Sequence, residues 1–573
     1  MTNAPRLTAW LDDFFASYYR RRPVNATFIG MHGYDDRLPD LSARATDELE
    51  QELARLEREL QQLPHEPLSV AEALDRSLAE GFLKIQRWEL ASVHFQQGNP
   101  CVYTGEAIFG VIALFLRPFA PLPQRIEAAI SRMHAIPALL LQGEANVREA
   151  PAAWTERAVR ECTGALLFLR NGIDILITQH SIKDARLREA ADRAVDAFTR
   201  FQNYLETELM RHTTDEIACG ADTFALLLRS GHFLDKTAHD IEAEAQAEFD
   251  ASNAYLTEHA SEFGALTWQE AIAGLADIHP SADQYYARYS ELWSASKATA
   301  AEHDLLTWPN FPIKYVPQPE WAREAAPYLY FLFYRAPAAF DELPLTRYLV
   351  TPIEPNMPLD VQESRLRATN DSVIKLNHVV HHGGIGHHVQ NWHAMRAESR
   401  VGQIAAVDCA SRTAMFCGGT MAEGWACYTT ELMGEVGFLT PLERYAERHA
   451  RLRMAARTLV DIRLHHGVYD LEQATAFYRE QVGMSDSAAR GEAVKNSMFP
   501  GTATMYLVGT DLIHELRHEL AARDGEAFNL RRFHDRFLSY GSVPVSCVAK
   551  LMREASSIHY EHAKGGASAT TGV

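Results

Sequence analysis

The sequence lacks any C-x-x-C pair; its seven cysteines are scattered, from Cys101 to Cys547. An odd count without paired spacing argues against a disulfide framework and fits a reducing compartment. It also lacks a surplus of positive charge. Basic side chains number 55 and acidic ones 75, a net charge of −20. That balance weighs against a nucleic-acid partner and against an anionic membrane surface, while leaving the sign of a local pocket open. No apolar run approaches the roughly 20 residues that span a bilayer. The most apolar stretch, Ile108 to Leu122, is interrupted by Arg117 and two prolines. The first residues show no basic-then-apolar leader pattern. Together these absences predict a cytoplasmic protein with neither a membrane nor a nucleic-acid partner. Strand-forming composition is scarce, and there is no internal repeat and no alternation of strand and helix.

What is present is helical rhythm. Hydrophobic residues make up 47% and charged residues 23%, the balance of a globular chain. Leu11, Phe14, Phe15, Tyr18 and Tyr19 recur at helical spacing, and Pro23 is expected to stop that helix before a loop. Ser42 to Leu63 reads as a long exposed amphipathic helix. Further helices are expected over 125–149, 150–179, 189–210, 237–263 and 281–303. Strand is expected only at Arg347 to Pro352, with Pro312 to Pro317 as a second candidate, inside proline-rich loops before residue 357 that could wall a cleft. The expected fold is all-α, mainly helical with a few short strands, around a deep central cleft. An N-terminal helical region, 1–240, would cover a metal-binding catalytic region, 241–563, the two forming one continuous unit. The tail 564–573 reads as disordered.

Asn377 to His393 holds six histidines: His378, His381, His382, His387, His388 and His393. Neutral imidazole is the commonest protein ligand for transition metals, and histidines this dense repel one another as cations. On a straight helix His381 and His387 would stand roughly 9 Å apart along the axis, too far to share one ion. Gly383, Gly384 and Gly386 supply the backbone freedom to break the helix between the two pairs. A carboxylate from a second helix would complete a His/His/Glu set, and the helical stretch Met421 to Glu435 carries Glu423 and Glu431 within a few turns.

The run from His381 to Gln390 resembles the signature of a large, mostly bacterial family known as domain of unknown function 885, whose pattern is H-E-x-x-P-G-H-H-x-Q. Its members resemble gluzincin-type zinc peptidases. Here His382 replaces the glutamate and Ile385 the proline. The resemblance extends to E-G-W-A-L-Y-x-E, whose first glutamate falls on Glu423 and whose second falls on Thr430. It also covers R-x-x-x-D-x-x-x-H, at Arg457, Asp461 and His465, and P-G-x-x-x-x-Y, ending at Tyr506. It implies a metallopeptidase-like helical fold with His381, His387 and Glu423 as ligands and His388 as a further ligand or its support. Zinc is the metal the family implies, with iron or manganese also suited to such donors. Tyr506 could stabilise a developing oxyanion or act as an acid. Arg457, Asp461 and His465 share one helix face and could orient ligands or hold substrate. Arg517 could clamp a substrate carboxylate. His232 on its apolar face reads as structural.

The motif glutamate is the usual general base of a zinc peptidase, so His382 divides the functional readings. As a base, His382 keeps the protein a hydrolase of a small amide- or peptide-like substrate, acting through a metal-activated water. As a fourth ligand it gives a three-His, one-Glu site suited to a lyase, isomerase, decarboxylase or oxygenase. The third reading is a non-catalytic binding protein for a small molecule or short peptide.

Overall fold

The structure, a computed structural model, describes residues 4–63, 68–329, 339–341, 343, 345–354, 356–404 and 415–554. The tail 564–573 and part of the proline-rich stretch lie outside them. The described chain is almost entirely helical, as its periodicity predicts. Ala43–Gln62 begins at Ser42, whose hydroxyl accepts from the Ala45 N–H, and buries Leu49, Leu53, Leu56 and Leu60 on one stripe. The apolar run forms the helix Pro100–Leu116, buried along nearly its whole length. One expectation fails locally. Pro23 does not lead into a loop but opens a second, fully buried helix, Pro23–Ile29, which ends on Gly30 with φ +89°. Proline at a first helical position costs no hydrogen bond, because that N–H has no partner inside the helix.

The two strands, Ile313–Pro317 and Thr346–Val350, pair in parallel, Ile313 facing Thr346 and Tyr315 facing Tyr348. Their tyrosines pack beside the histidine stretch, so this ribbon is a wall of the site, as the loop reading anticipates.

Two large apolar cores organise the rest. One joins helices between Val24 and Ile217 to residues as far as Leu507. The other joins Leu7 to Leu83 with residues running on to Met552. Each draws on both sides of residue 240, while a smaller core from Tyr285 to Val379, under the histidine stretch, lies wholly after it.

Two helices bring the catalytic candidates together. Met415–Glu435 carries Glu423, and Met505–Asp524 carries Tyr506. They cross at Gly424 and Gly509, where a Cβ on Gly424 would sit 2.6 Å from the Cα of Gly509. Neither position has room for a side chain, which gives a packing reason for a glycine next to Glu423 and another three residues after Tyr506.

Candidate metal centre

Val373–Gly383 is a π-helical stretch, with hydrogen bonds spanning five residues rather than four. The wider turn lowers the angle between successive side chains, so the neighbours His381 and His382 both face His387. The helix then breaks, and His387–Ala394 follows as a separate helix. At the break the Gly386 N–H donates to the Val380 carbonyl at 2.9 Å. A Cβ on Gly386 would collide with the His381 carbonyl. Two indoles stitch the break in place: Trp293 Nε1 donates to the Gly383 carbonyl at 2.8 Å and Trp425 Nε1 to the Ile385 carbonyl at 2.9 Å. Trp425 belongs to the E-G-W-A segment, so the residue that braces the histidine turn lies two positions from the carboxylate that meets it.

The ring nitrogens of His381, His382 and His387 come within 4.8 Å of one another. Glu423 Oε2 faces His381 Nε2 at 3.4 Å and His387 Nε2 at 3.7 Å. Donors about 2 Å from a shared tetrahedral ion stand roughly 3.3 Å apart, so these separations suit a common cation. They are too long for good hydrogen bonds, and Glu423 Oε2 is a buried oxygen with no hydrogen-bond partner. A carboxylate oxygen left so, between two imidazoles, fits a bound cation well. Burial lowers the pKa of both His381 and His382, which keeps them neutral and able to donate a lone pair. Burial alone would raise the Glu423 pKa, but the facing imidazoles of His381 and His387 hold it well below the usual carboxylate range. Side-chain exposures of 15% at His381 and 21% at Glu423 leave the cluster open to solvent on one side.

His382 has a fixed tautomer. Its Nδ1–H donates to the Asn377 carbonyl at 2.7 Å, which leaves the Nε2 lone pair as its basic site. His388 is turned away from the cluster, contrary to its expected place as a ligand. Its Nε2–H donates to the Phe311 carbonyl at 2.7 Å, and its ring lies flat on the Phe311 ring at 4.7 Å. His378 pairs through Nδ1 with the Tyr348 hydroxyl at 2.6 Å.

Tyr506 is half-buried and close enough to the cluster to feel the Glu423 charge. Burial raises its pKa, with the Glu423 charge adding to the effect, so it stays a hydroxyl donor. The Arg457 guanidinium lies 4.7 Å from the centre of its ring and ion-pairs with Glu492 at 2.7 Å. Asp461 and His465 are fully buried behind this layer and do not reach the cluster. Asp461 accepts from the backbone N–H groups of Gly501, Ala503 and Thr504 at 2.9–3.1 Å, which fixes the turn leading into the Tyr506 helix. His465 Nε2–H donates to the Asn496 carbonyl at 2.9 Å. His232 is buried on the Gly501 carbonyl at 2.6 Å. Arg517 is engaged elsewhere, with Glu435 at 2.8 Å and the Tyr428 hydroxyl at 3.2 Å, so the expected carboxylate clamp is not formed by it.

Two residues of this layer carry no signal in the sequence. Glu447 hydrogen-bonds Thr430 Oγ1 at 2.5 Å, and burial pushes its carboxyl up to about 7. Glu447 thus brings a carboxyl to the Glu423 helix from the helix Pro441–His465. The other is Arg453, one turn before Arg457.

A family profile described as "Bacterial protein of unknown function (DUF885)" matches residues 23–552. The fold is similar to that of a solved protein described as a "putative lipoprotein of unknown function" from Shewanella oneidensis, with TM-score 0.75 and 22% identity over 96% of this chain and 100% of that one. It is also similar to a "putative lipoprotein" from Colwellia psychrerythraea, with TM-score 0.78 and 16% identity over 96% and 98% of the two chains. No curated protein sequence matches the chain.

Proposed function

The chain belongs to the DUF885 family of bacterial proteins, and from that premise we propose that it is a metal-dependent hydrolase of a small amide- or peptide-like substrate. The observation that carries this reading is the convergence of His381, His387 and Glu423, with the Glu423 oxygen otherwise unsatisfied. These three residues would hold a divalent ion, zinc above all. Such an ion would supply Lewis acidity towards the substrate carbonyl and the acidity that makes water a nucleophile near neutral pH.

The chain's own groups then divide the work. His382 Nε2 accepts the proton of the attacking water, and the Asn377 carbonyl holds the ring in the tautomer that can do so. The Tyr506 hydroxyl donates a hydrogen bond to the oxygen on which charge develops. His382 returns the proton to the leaving nitrogen, so the C–N bond breaks to an acid and an amine. Cys427 is not a competing nucleophile, because burial raises its thiol well above the usual range.

A second reading has its own support. An imidazole whose Nδ1–H is tied to a backbone carbonyl is the usual form of a metal-ligating histidine, and His382 has that form. A four-ligand site would favour lyase, isomerase, decarboxylase or oxygenase chemistry. Metal analysis by plasma mass spectrometry, with turnover of dipeptides and N-acyl amino acids, separates the two. We expect about one zinc per chain in the parent and in His382→Ala, with turnover lost in that variant and partly restored in His382→Glu. Loss of metal from His382→Ala would make it a ligand and favour the second reading. A metal-free parent would remove both.

A further inference from the structure

Arg453 lies on the helix Pro441–His465, one turn before Arg457. Two cations at i and i+4 on one helix repel each other, and Arg457 is the first cause of the lowered affinity of Arg453 for its own proton. Arg457 has a counter-charge, Glu492, at 2.7 Å. Among the described residues Arg453 makes no hydrogen bond and no ion pair, although Glu492 acts on it from a distance. Glu447 is in its field, but that carboxyl is engaged with Thr430. Glu492 is in the field of Arg457, Lys495 and Arg453 together, one carboxylate against three cations. A guanidinium that reaches solvent and has no paired anion can exchange its water for a ligand.

Its position links this to the candidate centre. Arg453 is close enough to feel Tyr506 and Cys427, and Cys427 is one turn from Glu423 on the same helix. It keeps partial solvent contact. Arg457, stacked on Tyr506, lies within the field of His381. The line Tyr506, Arg457, Arg453 therefore leads away from the cluster, with Arg453 roughly 6 Å along its helix from Arg457.

We propose that Arg453 is the carboxylate-binding residue of the substrate site, so that the substrate is an N-acyl amino acid or a short peptide held by its free C-terminal carboxylate. This rests on the hydrolase reading for the bond that is cut. The fork of an arginine matches the two oxygens of a carboxylate, and a fork with no partner inside the protein keeps its donors available to a ligand. An overall charge of −20 does not oppose this, because the field at the site is set by the local cations.

The test uses the full-length protein and paired probes: N-acetyl derivatives of glycine, leucine, phenylalanine and glutamate, each as the free α-acid and as the α-carboxamide. Binding is measured by titration calorimetry, with metal content determined on the same samples. We expect at least one acid to bind tenfold or more tighter than its amide, and Arg453→Gln to erase that preference with metal content unchanged. Arg453→Lys should keep part of the preference, which separates loss of the charge from misfolding. The proposal is overturned if acids and amides bind equally, if neither class binds at low-millimolar concentration, if inorganic phosphate binds better than every acid, or if Arg453→Gln keeps the preference. Metal-free protein that still prefers acids would sink the hydrolase reading and leave the carboxylate site standing.

Discussion

His387 and His388 are adjacent, and spacing alone offers either to a metal. The structure separates them by what surrounds each. His387 meets Glu423 and His381, whereas His388 is taken by the carbonyl and the ring of Phe311. Phe311 is 77 residues away in sequence, so no local pattern could have shown this. We expect His388→Gln to keep the metal content of the parent and lose about 1–2 kcal/mol of stability, read from denaturant melts beside metal analysis. Loss of metal with the fold intact would contradict the assignment. Arg453 escaped the sequence for a related reason: that the nearby carboxylates Glu447 and Glu492 are engaged with Thr430 and Arg457 is revealed only by the packed structure. Arg517 shows the reverse, an arginine that looks available in sequence but already has its carboxylate in Glu435.

At the scale of elements, the helices were legible because their apolar faces repeat at helical spacing. The need for a break at Gly383–Gly386 followed from length alone. The π-helical winding before it did not, since histidines and valines in succession suit either winding. The crossing of the Glu423 and Tyr506 helices was equally hidden, although both glycines stand in the motifs. Gly424→Ala must push these helices apart, because the new Cβ would meet the backbone of Gly509. We expect a loss of about 1–3 kcal/mol. If the hydrolase reading holds, turnover should fall further than stability, since Tyr506 would move relative to Glu423. A variant with parental stability and parental turnover would show that the crossing adjusts freely. Gly386→Ala is expected to be harsher, because the carbonyl it meets belongs to His381 itself.

On the scale of the molecule, distant segments are joined by polar as well as apolar contacts. His32 sits between Asp35, at 2.8 Å from Nδ1, and Asp341, at 2.6 Å from Nε2, with its ring stacked on Phe119. Burial works to lower its pKa, but the hydrogen bonds to Asp341 and Asp35 prevail and push it up to about 9. A histidine raised from 6.5 contributes its full stability below about pH 6.5 and loses it as pH rises through about 9. The melting temperature should therefore fall between pH 7 and 10 more steeply in the parent than in His32→Gln; parallel curves would rule out this contribution. A division near residue 240 was readable as a change in motif content, yet neither core respects it, because apolar faces from both parts meet one another. The second core has a consequence for how the protein is made. It gathers Leu7 to Tyr19 with Leu49 to Leu83 and, from the far end of the chain, Val543 to Met552, so a core begun by the first helices is completed only when the last ones leave the ribosome. Trp10 donates to the Leu56 carbonyl and Phe14 and Tyr18 meet Phe82, so the first helix finds native partners within the first hundred codons. The part of that core around Trp425 and Phe537 waits for the last stretch of chain, and a nascent-chain chaperone is the natural guardian of that interval.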